Sequence, residues 1–181
     1  EEWAPERAWQ FSRWWSAKTF GEELADELAE IRLEHYRLAA QSKPETIREV
    51  TFTIEEMVQR IKDYQQLTDR INALEGSIPD RLKDAYFELV TYPIVATADM
   101  NYKLLGAKLS YWYAAMGDRQ NSLAYSSLSR YGYDDIVSLT DRYNNDIASG
   151  KWKYIMSMTP NGGSTSQFGP VHAALAEEVS D

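Results

Sequence analysis

The chain has 181 residues, of which 44% are hydrophobic and 13% aromatic, which is enough apolar material for one domain with its own core. The net charge is −9 at pH 7, with 20 acidic and 12 basic residues in residues 1–100, and no basic stripe suited to nucleic acid or anionic lipid is present. The absence of cysteine excludes a disulfide framework, a thiolate zinc site and a cysteine nucleophile, and no run of about 18 apolar residues suited to spanning a membrane occurs.

The first part of the chain predicts two helices. A short aromatic helix is predicted near residues 5–17. A second is predicted over residues 22–41, where an apolar stripe recurs at spacings of four and three, through Leu24, Leu28, Ile31, His35 and Leu38. Acidic residues crowd its first turns, where the helix dipole favours negative charge. Lys43-Pro44 predicts its end, because the residue before a proline avoids the helical region.

A long helix is predicted after residue 53. Thr53 and Glu56 have the spacing of a capping box, in which each side chain caps the other's backbone N–H. Apolar residues then repeat at threes and fours from Ile54 to Leu74, and Gly76 predicts the C-terminal stop.

The second half predicts two more long helical segments. One starts at Ile78-Pro79-Asp80, and its stripe includes Leu89; Pro93 predicts a kink or break at residues 91–93, since an interior proline costs a helix about 3 kcal/mol. A turn at Gly117-Asp118 leads to a helix over residues 121–149. In that helix Leu123, Leu128 and Ile136 are expected on the apolar side, Gly132 to weaken the middle and Gly150 to cap the end.

These elements predict an all-α fold, an antiparallel bundle of four long helices plus one or two short helices, kinked at Pro93. The predicted domains are a helical bundle over residues 1–159 and a loop with a weakly held C-terminal segment over residues 160–181, where glycine, serine and proline are concentrated.

Patterns that would carry catalysis or bind a metal are missing from the sequence. Its two histidines, His35 and His172, each lack the glutamate three residues earlier that a di-iron bundle uses. His35 lies on an apolar stripe, which favours a hydrogen-bonded core histidine over a ligand or general base. A carboxylate pair on the acidic helices stays open as an alternative. We predict no catalytic, cofactor-binding or metal-binding residue.

Aromatic residues are the unusual feature, with six tryptophans and twelve tyrosines. Three uses are open: filling the bundle core, forming a domain or subunit interface, or contacting sugar directly. We expect some of Trp3, Trp9, Trp14, Trp15 and Trp152 to be incompletely buried. The full set of interface or packing candidates is Trp9, Trp14, Trp15, Tyr92, Trp112 and Trp152.

Several local sequences occur in an order that resembles one family. They are the acidic helix entry at residues 14–28, Tyr36 followed by Lys43-Pro44-Glu45, the tyrosine-rich residues 85–94, Asn101, Tyr143-Asn144-Asn145, and Gly150-Lys151-Trp152 with Met156. In this order they resemble the helical domain of glycoside hydrolase family 115. The sequence departs from the family pattern after residue 152, where a tryptophan-containing segment is replaced by residues 158–164.

The resemblance implies a helical domain that follows the catalytic barrel of a xylan α-(4-O-methyl)-glucuronidase and precedes a β-rich domain. It further implies a secreted or periplasmic enzyme, family dimers formed partly through this region, and a non-catalytic role here, since the barrel's acids are absent. Residues 1–6 lack the features of a signal peptide, so we expect an upstream segment. The alternatives are a free-standing helical protein-interaction module with no sugar role and a carbohydrate-binding bundle.

Overall fold

The fold is taken from a computed structural model, which describes residues 5–43, 46–47 and 51–156. All regular structure in these residues is helical, which confirms the predicted all-α class. The α-helices are α1 (Pro5–Phe20), α2 (Ala25–Gln41), α3 (Ile54–Glu75), α4 (Lys83–Tyr86), α5 (Tyr92–Ala115) and α6 (Arg119–Asn145). Short 3₁₀ turns cover Glu22–Leu24, Asp80–Leu82 and Ile147–Gly150, and one π-helical turn covers Phe87–Thr91.

Helices α1 and α2 pack against each other, and α2 also packs against α3. The apolar stripe predicted for α2 is confirmed for Leu28, Ile31 and Leu38, which are buried in the core, whereas Leu24 and His35 are only partly buried. Helix α1 differs from the prediction: it has 16 residues and α2 has 17, so the first helix is not a short addition to the bundle.

The capping box of α3 is confirmed. The Glu56 backbone N–H donates to Thr53 Oγ1 over 3.2 Å, and the Thr53 N–H donates to Glu56 Oε2 over 2.8 Å. Gly76 follows the last residue of α3 as predicted, although its φ of −66° lies in the ordinary helical region.

Helical backbone continues through Pro93 instead of breaking there. The π-helical turn Phe87–Thr91 immediately precedes α5, and both Thr91 and Tyr92 keep helical backbone angles. Proline has no N–H to donate to the preceding turn, and the wider turn accommodates this loss. The prediction for Leu89 was wrong: the π turn shifts the helix register, so Phe87 is buried and Leu89 is 45% exposed.

Helix α6 packs on α5 through small residues, and the apolar stripe predicted for its first half is confirmed only in part, since Leu128 is partly buried against the core. The buried face of that half carries Ser122, Ser126, Ser129 and Gly132. A Cβ atom added at Gly132 would lie 2.5 Å from the Asp99 carbonyl oxygen. Gly132 therefore permits a close approach of two backbones, where the sequence suggested only a weak point.

The predicted turn at Gly117-Asp118 is confirmed, with Gly117 at φ 74° and Asp118 Oδ1 accepting from the Asn121 N–H over 3.1 Å. Helix α6 ends four residues earlier than predicted, at Asn145, and a 3₁₀ turn then leads to Gly150, at φ 74°. The predicted C-terminal loop and segment, residues 160–181, lie outside the described residues, as do Trp3 and His172.

Candidate interaction surface

An open groove lies where α1, α2 and the start of α5 meet. It encloses about 330 Å³. Its lining comes from three places, namely Phe11 and Trp15 of α1, Arg32, His35 and Tyr36 of α2, and Leu89, Pro93 and Ile94 of the π turn and α5. We call it the aromatic groove. Its rim is apolar and open to solvent, since Phe11, Tyr36 and Leu89 are each about half exposed, at 47%, 53% and 45%.

Local structure explains why these side chains meet. Trp15 packs against the core and touches Phe20 edge-on, with 5.8 Å between the ring centroids. Arg32 and His35 follow each other on α2 at a spacing of three, so both face α1. Opposite α2, the register shift in the π turn directs Leu89 away from the core and into the groove lining.

Two polar groups in the aromatic groove are incompletely satisfied. The Arg32 guanidinium lies over the Trp15 ring, 3.7 Å from its centroid, and Arg32 Nη2 donates to the Tyr36 hydroxyl over 3.3 Å. Arg32 Nη1 and His35 Nδ1 are both buried, and neither has a hydrogen-bond partner among the described residues. Burial lowers the pKa of His35, because desolvation penalises the charged imidazolium. The partner expected for a core histidine is therefore not found at Nδ1.

Trp9 and Trp14 lie beside this groove on α1. They line a second open groove with Arg13, Lys18 and Glu22, among other residues. Trp9 is 39% exposed and Trp14 is 55% exposed, which confirms that some of the tryptophans are incompletely buried. Trp14 also contacts Phe11, with the ring centroids 6.0 Å apart, so the exposed aromatic surface is continuous between the two grooves.

Tyr92 and Trp152 belong to a separate apolar cluster near the end of α6. Tyr92 packs against Tyr143, with 4.7 Å between ring centroids, and its hydroxyl lies 3.2 Å from Thr140 Oγ1. Trp152 is half-buried against the same cluster, which also holds Phe87 and Ile147. These two candidates pack within the described structure.

Trp112 lies apart from both groups, near the end of α5. It is 40% exposed and contacts Tyr113 edge-on, with 4.8 Å between ring centroids. Thus the structure brings Trp9, Trp14 and Trp15 together and leaves Trp112 elsewhere. Whether any of the six candidates forms an interface stays a prediction.

No protein-family model and no curated protein matches the sequence. Solved structures do match. One is a family GH115 4-O-methyl-α-glucuronidase described as having specificity for decorated arabinogalactans, with 28% sequence identity and a TM-score of 0.76. The match covers 93% of this chain. The chain spans only 23% of that enzyme, so it is similar to one part of a larger polypeptide.

The buried polar side chains of the described residues include two, Arg60 and Asp99, that the sequence analysis did not identify. Arg60, 3% exposed, donates to Asn101 Oδ1 over 2.7 Å and to the carbonyl oxygens of Leu38 and Ser42 over 3.0 and 2.8 Å. This network ties the end of α2 to α3 and α5. It could have been suspected because an asparagine and three charged residues interrupt the apolar sequence of α5.

Asp99 is the second buried polar feature. It is fully buried in α5, and neither carboxyl oxygen has a hydrogen-bond partner among the described residues. Burial raises its pKa to about 9, and the negative charge of Asp135 adds to the increase. Because the carboxyl group is sealed from solvent, it is placed to shape the α5–α6 contact and not to reach a substrate.

Groups that could hold a metal ion were sought within the same residues. No cluster of three or more histidine or acidic side chains suited to a metal occurs there, and none of the described helices is long and apolar enough to cross a lipid bilayer. The lining of the aromatic groove contains His35 but no acidic residue. The geometry of this groove is suited to binding and offers no carboxylate pair for glycoside cleavage.

Proposed function

We propose that the chain is a non-catalytic helical domain of a larger glycoside hydrolase, an α-glucuronidase. The observation that carries this proposal is the likeness to a GH115 4-O-methyl-α-glucuronidase over 93% of this chain and only 23% of that enzyme. An identity of 28% over nearly the whole chain adds to the likeness in fold. The ordered motifs of the sequence support the same family.

The proposed role is to brace the catalytic barrel and to contribute to a homodimer. Exposed aromatic surface supports this role, because large apolar patches on a soluble domain commonly mark contacts with other proteins. The patch on α1, α2 and the π turn includes Trp14, Tyr36 and Leu89, each at least 45% exposed. A β-rich domain of the same polypeptide is the other proposed neighbour.

The substrate of the whole enzyme is proposed to be a polysaccharide bearing (4-O-methyl)-glucuronic acid. Xylan follows from the family resemblance, whereas the similar solved enzyme is described as specific for decorated arabinogalactans. Secretion or export to the periplasm is proposed on the same basis, since such polysaccharides lie outside the cell.

We also propose three details of the fold: that consecutive long helices run antiparallel, that the helical segment bends at Pro93, and that the helical domain extends to residue 159. The turn Met116–Asp118 between α5 and α6 supports the first, because so short a connection suits antiparallel neighbours.

Release of glucuronic acid from glucuronoxylan and from decorated arabinogalactan tests the proposal, with the 181-residue chain and the complete parent polypeptide assayed in parallel. The parent should release the acid from at least one polysaccharide, and the chain alone should release none. Turnover by the chain alone would overturn its non-catalytic role. A native start codon directly before Glu1 with no hydrolase domain in the polypeptide would overturn the wider proposal and favour a free-standing interaction module.

A further inference from the structure

The contact between α5 and α6 encloses an acidic side chain that is cut off from water. Asp99 is fully buried, and neither of its carboxyl oxygens has a hydrogen-bond partner among the described residues. The two backbones approach closely at this point, since a Cβ atom added at Gly132 would lie 2.5 Å from the Asp99 carbonyl oxygen and 3.0 Å from the Lys103 backbone nitrogen. An ionised carboxylate held here would have neither water nor a donor to stabilise its charge.

The neighbouring acid on α6 also disfavours a charge on Asp99. Burial is the larger cause of the raised pKa of Asp99, and the negative charge of Asp135 adds to it. The Tyr131 hydroxyl, one turn earlier on α6, donates to Asp135 Oδ2 over 3.4 Å and so favours the charge on Asp135. Of the two carboxyl groups, Asp135 is therefore the one that stays ionised and Asp99 the one that keeps a proton.

The other groups on this side of α5 do not reverse that order. Burial raises the pKa of Tyr102, so its hydroxyl stays neutral, and Asp69 of α3 contributes a further negative charge beside it. The ammonium group of Lys103 lies 6.0 Å from the centroid of the Tyr133 ring on α6. The charges that α3 and α6 bring towards Asp99, those of Asp69 and Asp135, are thus both negative.

We infer that the proton held by Asp99 keeps α5 and α6 in contact, and that its loss separates the two helices around Gly132. With the proton in place, a neutral carboxyl group is tolerated inside the contact. Without it, Asp99 and Asp135 are two neighbouring negative charges, and Asp99 gains water only if the helices move apart. The contact is a proton-sensitive switch, closed at neutral pH and open in alkaline solution. This inference depends on the packing of α5 and α6 and not on the proposed function.

The protonation of Asp99 is measured directly by ¹³C NMR of its carboxyl carbon in the full 181-residue chain. The signal should stay at the protonated position at pH 7 and titrate near pH 9. Asp135→Asn removes the neighbouring charge and should lower the midpoint by about one pH unit, whereas Asp134→Asn, at an exposed position of α6, should leave it unchanged.

Single thiols measure the opening, because the chain contains no cysteine. Ser129→Cys places a thiol in the α5–α6 contact at a position 1% exposed, and Ser138→Cys places one on the exposed side of the same helix. The ratio of their alkylation rates by iodoacetamide removes the ordinary ionisation of a thiol. That ratio should rise at least about tenfold from pH 7 to pH 10, since the ionised fraction of a group with a pKa near 9 rises from about 1% to about 90%. Asp99→Asn should abolish the rise.

A buried position outside the contact separates local opening from general unfolding. Ser12→Cys on α1, at a position 2% exposed, should show no comparable rise. If Ser129→Cys fails to fold, the methyl signals of Ile136, buried next to Asp135 on α6, give the second readout in the unmodified chain and should change together with the carboxyl signal.

Four results would overturn the inference. They are an ionised Asp99 at pH 7, a rate ratio that does not change with pH, an equal rise at Ser12→Cys, and Ile136 methyl signals that stay constant while Asp99 titrates.

Discussion

Replacing the buried carboxyl group of Asp99 by an amide, Asp99→Asn, should stabilise the protein, and increasingly so as pH rises. The folded chain holds the pKa of Asp99 near 9, against an ordinary value of 3.8. A raised pKa means that the folded state binds the proton more tightly than the unfolded state does. Stability from this group is thus fully present below pH 3.8 and is lost as pH rises towards 9.

The size of the effect follows from that difference. At pH 7 the unfolded carboxyl group is ionised, and keeping it protonated in the folded chain costs about 1.4 kcal/mol per pH unit above 3.8, or about 4 kcal/mol in all. An asparagine side chain does not ionise in this range, so the stability advantage of Asp99→Asn should grow by about that amount between pH 4 and pH 7.

Urea unfolding, followed by tryptophan fluorescence at a series of pH values, measures this advantage. Taking the difference between variant and parent chain cancels most other titrating groups. Asp134→Asn replaces an exposed carboxyl group of α6 and serves as the matched control. Its stability difference from the parent chain should not change comparably with pH. An advantage of Asp99→Asn that stays constant from pH 4 to pH 7 would refute the reasoning.

Three further predictions concern packing, capping and protonation. Gly132→Ala should lower the free energy of unfolding by about 1–3 kcal/mol in chemical unfolding, because the new Cβ would lie 2.5 Å from the Asp99 carbonyl oxygen. Gly76→Ala is the control and should be near neutral, because a Cβ there would have no atom within 4 Å. Equal effects of the two substitutions would contradict the close approach of α5 and α6. Thr53→Ala should lower the free energy of unfolding by about 1 kcal/mol, because the capping box is lost. Thermal unfolding checks this, and an unchanged thermal midpoint would contradict it. NMR titration should give His35 a pKa below 6.5, so that its contribution to stability falls as pH drops below that value; a pKa above 6.5 would be the opposite outcome.

Local signals in the sequence predicted much of the fold. The capping box at Thr53 and Glu56 depends only on residues three apart, and the stripes of α2 and α3 repeat within single helices, so both could be read directly. The buried face of α6 could not be read in this way. Serines and Gly132 are buried there because α5 approaches closely, which is a property of the pair of helices and not of either sequence alone.

The candidate surface was predictable only in part. Composition identified Trp14 and Trp15 as unusual residues, and periodicity placed His35 on a helix face. The meeting of Arg32 with Trp15 depends on how α2 packs against α1, and the exposure of Leu89 depends on the π turn, which shifts a register that a regular helix would have kept. Neither contact has a local signature in the sequence.

We propose that another part of a parent hydrolase covers the aromatic surface of α1 and α2. Hydroxyl-radical footprinting of Tyr36 and Tyr131 tests it most directly, since their exposed fractions are nearly equal in this chain, 53% and 54%. Both tyrosines should oxidise at similar rates in the isolated chain, and in the complete parent polypeptide Tyr36 should become protected while Tyr131 stays reactive. Equal oxidation of the two tyrosines in both proteins would contradict the account.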